Sequence, residues 1–382
     1  MVSLPPNRGR LYYAVEDSAL SSPASITQNA PSALSTADHS ADLVIISYKD
    51  FLTQANAWAD YRRAQGFNVE VVNVEDVFDE FNYGTLSAKS MKDFLLFAKT
   101  NWLVPPKYIL LIGDGDYDSR NYEGFGFFNF IPAYIVNTVF TETASDDSIV
   151  DFNGDGLAEI PIGRIPARTT GEVTNALNKT MSFETPAMQS LSRGSLFACD
   201  IDFNSPPYDF CAASNRVRDQ LPTGTPTVTV SKGDSGAQAA LISEMNTGKY
   251  IVNYEGHGAT GTWSSVNFFS NSNVPQLTNA NNLSIYTMLT CLNGFFHNTV
   301  NVSLAEALLN STNGGAVAVW ASSGETTPDV QEVMGQRFYN QIGLGNITRL
   351  GDLAVDAKST VQGGTDVRQS WVLIGDPMLK VR

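Results

Sequence analysis

The sequence predicts an α/β fold in which mostly parallel sheets are flanked by helices. Short apolar runs alternate with amphipathic segments of helical length from residue 42 to the end of the chain, which is the pattern of β-α-β units. Two of the runs, KYIVNYEGHG (249–258) and SIYTMLTC (284–291), end in His-Gly and in Cys. The carboxyl ends of neighbouring parallel strands open onto one crevice, so these residues are expected to meet there.

The elements of the first half follow each other in order. The apolar, Val/Ile-rich runs predict strands at 43–48, 68–72 and 108–112. The amphipathic segments predict helices at 54–65, closed by Gly66, at 88–100, and from Thr170 onward.

The same alternation returns in the second half. Strands are predicted at 195–198, 227–230, 250–253, 285–289, 316–320 and 371–374. Helices are predicted near 212–220, 236–245, 304–309, 330–342 and 350–360.

Two composition changes divide the chain. Residues 14–41 are rich in Ser, Ala and Pro and lack any period, so residues 1–41 are predicted to form an extended N-terminal arm. Pro, Ser and Gly cluster at 185–194 (TPAMQSLSRG), which indicates a boundary between subdomains 42–190 and 191–382.

Composition excludes several classes of protein. The formal net charge of −15 over 382 residues disfavours a nucleic-acid partner. No apolar run has the length of a membrane helix, and the first ten residues lack the features of a signal peptide. The oligomeric state cannot be read from the sequence. No cofactor is expected for catalysis, since three scattered histidines offer no zinc-binding spacing.

His257 and Cys291 are the candidate base and nucleophile, because an imidazole beside a thiol activates it for attack on a carbonyl. The N–H groups of Gly258 and Cys291 are the candidate oxyanion donors. His297 also follows Cys291 closely, but it lies in the loop beyond the strand and would require a tight reversal. Of the other cysteines, Cys199 and Cys211 either pair or remain reduced.

The segments around these strand ends resemble the gingipain family, peptidase family C25, of the clan that also contains caspases and legumain. The resemblance rests on NYEGHG, TCLNG, SLAEALL, GGAVAVWASS and IGDPMLKVR, and on YILLIGDGDYD and EIPIGRIPAR in the first half. It covers about residues 42–382. It implies a caspase-like fold of two α/β subdomains, with Cys291 as the nucleophile and His257 as the catalytic histidine.

The resemblance also suggests residues that orient the histidine and bind substrate. Glu159 matches the acidic residue that precedes IGR in the family; otherwise it is a loop carboxylate that accepts backbone N–H groups. Gingipains cut after Arg or Lys with the help of an acidic residue in the next helix, which Glu172 approaches, although Glu172 also suits a first-turn carboxylate. The segment after Trp320 lacks the aromatic residue of the family, and Glu325 is the alternative selector of a basic side chain.

Residues 151–156 (DFNGDG) begin like a calcium-binding loop, with oxygen ligands at alternate positions and Gly at the sixth. Position twelve is Ile162 instead of Glu, so this is not an EF-hand. A structural calcium ion held by Asp151, Asn153 and Asp155 is one interpretation, and a simple turn is the other.

Together these features predict a cysteine endopeptidase that acts on polypeptides through a thioester. Two alternatives remain: a sortase-like transpeptidase that matures exported proteins, and a catalytically silent surface adhesion module. Because members of the family are exported, a secreted or cell-surface location is expected, with the leader absent from this sequence.

Overall fold

A computed structural model describes residues 14–381 except 24, 27, 205, 206 and 265–267. The chain divides into residues 1–32 and residues 33–382. In the described part of the first unit, regular structure is limited to one 3₁₀ turn, Asp17–Ala19. Residues 33–41, which the sequence assigned to the arm, belong to the second unit, where Leu34 and Ala41 are buried in the core.

The strands of the second unit lie close to the predicted runs. They are β1 (Leu43–Ser47), β2 (Val69–Asn73), β3 (Tyr108–Ile112), β4 (Ile135–Asn137), β5 (Glu142–Ala144), β6 (Ile162–Ile165), β7 (Ser195–Cys199), β8 (Thr227–Ser231), β9 (Ile251–Glu255), β10 (Gly258–Ala259), β11 (Thr262–Trp263), β12 (Phe269–Ser270), β13 (Ser284–Leu289), β14 (Ala316–Ser322) and β15 (Trp371–Ile374).

The helices alternate with these strands. They are α1 (Leu52–Ala64), α2 (Val74–Asn82), α3 (Ala88–Asn101), α4 (Asp147–Val150), α5 (Thr170–Phe183), α6 (Phe210–Arg218), α7 (Ala237–Asn246), α8 (Leu304–Asn310), α9 (Pro328–Leu344), α10 (Leu350–Ser359) and α11 (Thr365–Ser370). The sequence prediction lacked the helices α2, α4 and α11 and the short strands β4, β5, β6, β10, β11 and β12.

Ten strands form one sheet in the order β2-β1-β3-β6-β15-β14-β13-β9-β7-β8. Every neighbouring pair is parallel except β14 with β15, which confirms the mostly parallel prediction. The four strands from residues 42–190 lie at one end of the order and the six from residues 191–382 at the other. Within the sheet, the two sets are joined by the pairing of β6 with β15, in which Ile374 pairs with Arg164. The subdomain boundary at 185–194 stays a prediction.

Helices cover both faces of the sheet. Apolar side chains of α1, α5, α7 and α8 join one large core cluster. On the opposite face, α2, α3 and α4 cover the first strands, and α6, α9 and α10 cover the later ones. Among the described residues, no helix has both the length and the apolar character needed to cross a bilayer.

The IGR segment lies where the two sets of strands join. A side chain at Gly163 would come within 2.3 Å of the backbone oxygen of Gly375, so glycine permits this close approach. Arg164 is fully buried and donates from its Nε and Nη2 to the two carboxylate oxygens of Asp146, at 2.9 and 2.7 Å. A buried bidentate pair fixes geometry strongly. The motif therefore has a structural part in joining the two halves of the sheet.

Cys199 at the end of β7 and Cys211 in α6 form a disulfide, which decides the choice that the sequence left open. The bond ties the end of β7 to the start of α6 and closes the loop between them. Converting both cysteines to serine is expected to lower the free energy of unfolding by about 2–3 kcal/mol. Without the disulfide, the short loop that it closes gains conformational entropy in the unfolded chain, which stabilises the unfolded state. Urea unfolding measures this change. Reduced wild type should match the variant, and equal stability of the oxidised wild type and the variant would contradict the prediction.

Candidate active site

The carboxyl ends of β9 and β13 lie side by side at one edge of the sheet. Their parallel register pairs Glu255 with Leu289, and His257 and Cys291 each follow two residues later. A side chain at Gly258 would come within 2.8 Å of the backbone oxygen of Cys291. The close approach of these two segments therefore favours glycine, and it brings the predicted base and nucleophile to one edge.

Cys291 is the free cysteine of the chain and is half-buried. Its Sγ lies 3.4 Å from both the backbone nitrogen and the backbone oxygen of Thr326, just before α9. Burial raises the pKa of the thiol, hydrogen bonding to Thr326 lowers it, and the negative charge of Glu325 raises it. The pKa is raised overall, so the resting group is a neutral thiol at neutral pH.

Replacing Glu325 with glutamine is expected to lower the pKa of Cys291, because a nearby negative charge disfavours the thiolate. Inactivation by iodoacetamide, followed from neutral to alkaline pH, should then reach half its maximal rate at a lower pH than in wild type. Asp79→Asn, an exposed carboxylate on α2, is the matched control and should leave the profile unchanged. An identical profile for Glu325→Gln and wild type would contradict the assigned influence of Glu325.

The His257 imidazole is half exposed and is held on two sides. Its Nε2 lies 3.1 Å from Oδ1 of Asp202, and the ring of Phe210 meets it edge-on at 5.1 Å. The backbone N–H of His257 donates to Oδ2 of Asp200 at 3.3 Å. A carboxylate only accepts hydrogen bonds, so Nε2 carries the hydrogen and Nδ1 is left as the basic nitrogen.

Asp202 is the carboxylate that faces the imidazole, although sequence reasoning did not find it. Its side chain is only 5% exposed, and it accepts backbone N–H groups of Asn204 at 2.9 Å and Tyr208 at 2.8 Å. Burial opposes its ionisation, but these hydrogen bonds and His257 lower the pKa of Asp202 to about 2. The carboxylate therefore remains charged at neutral pH and favours one tautomer of the imidazole.

Comparison with known proteins identifies the family of this chain. The model of Peptidase family C25 matches residues 36–382. The chain belongs to peptidase family C25. Gingipain R2 of Porphyromonas gingivalis is 23% identical over 360 residues, which cover 89% of this chain and 46% of that protein. Gingipain R1 of the same organism is 23% identical and is covered over 34% of its length, so the chain spans less than half of these curated relatives.

Solved structures show the same fold. The crystal structure of the Arg specific cysteine proteinase gingipain R matches with a TM-score of 0.76 at 20% identity, over 93% of this chain and 80% of that one. The complex of Porphyromonas gingivalis RgpB pro- and mature domains matches with a TM-score of 0.74, over 89% of this chain and 79% of that one. The predicted gingipain-like architecture is thus confirmed.

Glu159, which the family resemblance assigned to the histidine, bonds within its own loop in this C25 chain. Its Oε2 accepts the backbone N–H of Phe152 at 2.5 Å, which is the second of the two interpretations given above. The carboxylate found against the imidazole is that of Asp202. The available sequence signal was the acidic pair Asp200 and Asp202 directly after β7, since β7 is the neighbour of β9.

Glu172 forms a helix cap. Its Oε2 accepts the backbone N–H groups of Arg168 at 2.7 Å and Thr169 at 2.9 Å, and the Thr169 hydroxyl completes a capping box at the start of α5. This is the first-turn role that the sequence offered as an alternative. Glu325, by contrast, is exposed beside the thiol.

His297 is buried among aromatic rings away from solvent. Its Nε2 accepts the backbone N–H of Ala144 at 3.3 Å, and Phe295 packs on the ring at 4.0 Å between centroids. Burial, together with the positive charge of Arg164, lowers the pKa of His297 to about 3. The ring is therefore neutral and already bonded at Nε2, which favours His257 as the base.

The side-chain oxygens of the loop proposed for calcium accept hydrogen bonds from the loop's own backbone N–H groups. The two carboxylate oxygens of Asp151 accept the N–H groups of Gly154 and Gly156, at 2.7 and 2.8 Å. Asn153 and Asp155 make similar bonds to residues two positions ahead. Over the described part of the chain, no group of three His, Cys, Asp or Glu side chains has the geometry of a metal site.

Proposed function

We propose that this C25 protein is a cysteine endopeptidase with Cys291 as the nucleophile and His257 as the acid and base. The observation that carries the proposal is the His257 imidazole, bonded through Nε2 to a buried carboxylate at the strand end next to that of Cys291. A thiol, an imidazole and an orienting carboxylate are the three groups that peptide hydrolysis through a thioester requires.

In the first step, Nδ1 of His257 takes the proton of the Cys291 thiol as sulfur attacks the scissile carbonyl carbon. Because the pKa of the thiol is raised, proton transfer accompanies attack instead of preceding it. Negative charge develops on the carbonyl oxygen. The N–H groups of Gly258 and Cys291 would stabilise that charge, each by about 3 kcal/mol.

In the second step, the imidazolium returns its proton to the departing amine as the carbon–nitrogen bond breaks. A thioester with Cys291 remains. His257 then removes a proton from water as the water oxygen attacks the thioester carbon. The imidazolium returns that proton to sulfur as the carbon–sulfur bond breaks, which releases the acid and the free thiol. Throughout the cycle, ionised Asp202 holds Nε2–H and stabilises the charged imidazole.

The substrate proposed is a polypeptide with a basic residue before the cleaved bond, selected by the exposed Glu325 carboxylate near the thiol.

The family likeness supports a secreted or cell-surface location. A structural calcium ion at Asp151, Asn153 and Asp155 is also proposed, and its binding would require these side chains to give up the backbone N–H groups that they accept. A higher unfolding temperature with calcium than with a chelator is expected, and equal temperatures would contradict this site.

The test of the function is cleavage of a diverse peptide library under mildly reducing conditions, with products read by mass spectrometry. Cleavage products, together with labelling of Cys291 by a peptide aldehyde or a peptidyl chloromethyl ketone, are expected. A parallel reaction with an added amine separates hydrolysis from transpeptidation by the mass of the product. Absence of both cleavage and labelling would overturn the proposal in favour of a non-catalytic module.

A further inference from the structure

A cleft of about 550 Å³ opens beside His257, and Cys291 is not among the residues that line it. Its walls come from the loop after β7 and from the β10–β11 hairpin, and the residues lining it are Asp202, Phe203, Asn204, His257, Gly258, Ala259, Thr262 and Ser264. In the sheet order, β9 stands between β13 and β7, so His257 separates this cleft from the thiol. The volume falls within the range of about 300–1,000 Å³ that is common for ligand pockets.

The chemistry of the two steps fixes which part of a substrate reaches this side. The acyl group is bonded to sulfur, so the chain before the cleaved bond remains near Cys291 and Thr326. The leaving nitrogen must lie within hydrogen-bonding reach of the imidazole that gives it a proton. The residue that carries this nitrogen, the first residue after the bond, is therefore directed past His257 and toward the cleft.

The accessible surface of the cleft is largely apolar. Phe203 is 81% exposed at its rim, and Ala259 is exposed on the opposite wall. The Lys232 ammonium lies 5.9 Å from the centre of the Phe203 ring, but it is paired with Asp200 at 3.2 Å and donates to the Ser264 hydroxyl. The charge left to face a ligand is that of the Asp202 carboxylate.

We propose that this cleft binds the first residue after the cleaved bond and selects an apolar side chain there, with Phe203 as its main contact. An acidic side chain is excluded because Asp202 lines the same cleft and is ionised. Phe203 is thus a specificity residue for the leaving half of the substrate. This inference rests on the proposed endopeptidase function.

The experiment uses internally quenched peptides that differ only in the residue after the bond, which is Leu, Phe, Gly or Asp. Wild type should show the highest kcat/KM with Leu or Phe and the lowest with Asp. Phe203→Ala should lower kcat/KM for the Leu and Phe peptides by roughly three- to tenfold, the loss expected for one aromatic contact. The Gly peptide should change little.

Two controls make the result specific. A peptide aldehyde occupies only the acyl side, so its inhibition constant should be the same for wild type and Phe203→Ala. Leu103→Ala removes a similarly exposed apolar side chain (74% exposed) before β3, a strand that four others separate from β9 in the sheet order, and should leave every rate unchanged. As a second variant, Ala259→Asp should shift the preference after the bond toward Lys.

Each outcome has one meaning. If wild type cleaves all four peptides at equal rates, or Phe203→Ala keeps the wild-type preference, the cleft is not the subsite and the inference is wrong. If Phe203→Ala weakens the aldehyde as much as it slows cleavage, the residue acts on the acyl side and the inference is also wrong. If wild type cleaves no peptide and binds no aldehyde, the proposed function itself fails.

Discussion

Replacing Cys291 with alanine is expected to lower kcat/KM for peptide hydrolysis by about 10⁴-fold or more, because the group that forms the thioester is lost. The Sγ atom contacts only Thr326 among the hydrogen-bonding groups described. The variant should therefore fold, with a change in the free energy of unfolding of about 1 kcal/mol. Initial rates with a quenched peptide and urea unfolding of the same preparation measure the two effects.

The two histidines near Cys291 can be compared by the same substitution. His257→Gln should lower hydrolysis as much as Cys291→Ala does, since the base is removed. His297→Gln should affect stability more than chemistry, because this neutral ring is buried against Ala144 and Phe295. Full activity of Cys291→Ala would show that Cys291 is not the nucleophile. If His297→Gln folded but lost hydrolysis while His257→Gln kept it, His257 would not be the base.

Asp202→Asn is expected to lower kcat by about 10²- to 10⁴-fold with little effect on KM. An amide nitrogen at this position donates to Nε2, so the hydrogen of the imidazole moves to Nδ1 and the base faces the thiol in the wrong tautomer. Glu159→Gln is the matched control. Its amide oxygen can still accept the Phe152 N–H, and activity should be unchanged.

The comparison of these two variants decides between the two carboxylates. If Glu159→Gln lost activity and Asp202→Asn kept it, the assignment from the family motif would hold and the assignment of Asp202 would be wrong. If both variants were as active as wild type, neither carboxylate would orient the catalytic imidazole.

Asp202 should also make stability depend on pH. Its pKa is lowered to about 2 in the folded chain, so its contribution is present above the unfolded pKa of about 4 and is lost as pH falls toward 2. Because its partner His257 is half exposed to solvent, that contribution is screened and amounts to about 1 kcal/mol. Asp202→Asn should therefore be less stable than wild type at neutral pH, with the difference closing in acid. A constant difference across pH would contradict this account.

Much of the sheet could be predicted from local sequence. The runs at β3 and β15 were predicted with the bounds they have, because each is a short apolar segment that is buried on both faces. β6 was missed since its four residues contain a glycine and a buried arginine, and neither belongs to the usual strand composition. Arg164 is tolerated there because Asp146 pairs with it from a distant loop.

By itself, the sequence determined which strands end in an imidazole and in a thiol, since strand period and strand ends are local properties of the chain. Only the tertiary structure decided which carboxylate faces the imidazole. Asp202 reaches His257 because β7 lies beside β9 and because the Cys199–Cys211 bond closes its loop. The IGR motif pointed to Glu159, but that segment joins two halves of a sheet. Both contacts join residues that are far apart in the chain, and sequence spacing predicts only contacts between residues that are close in the chain.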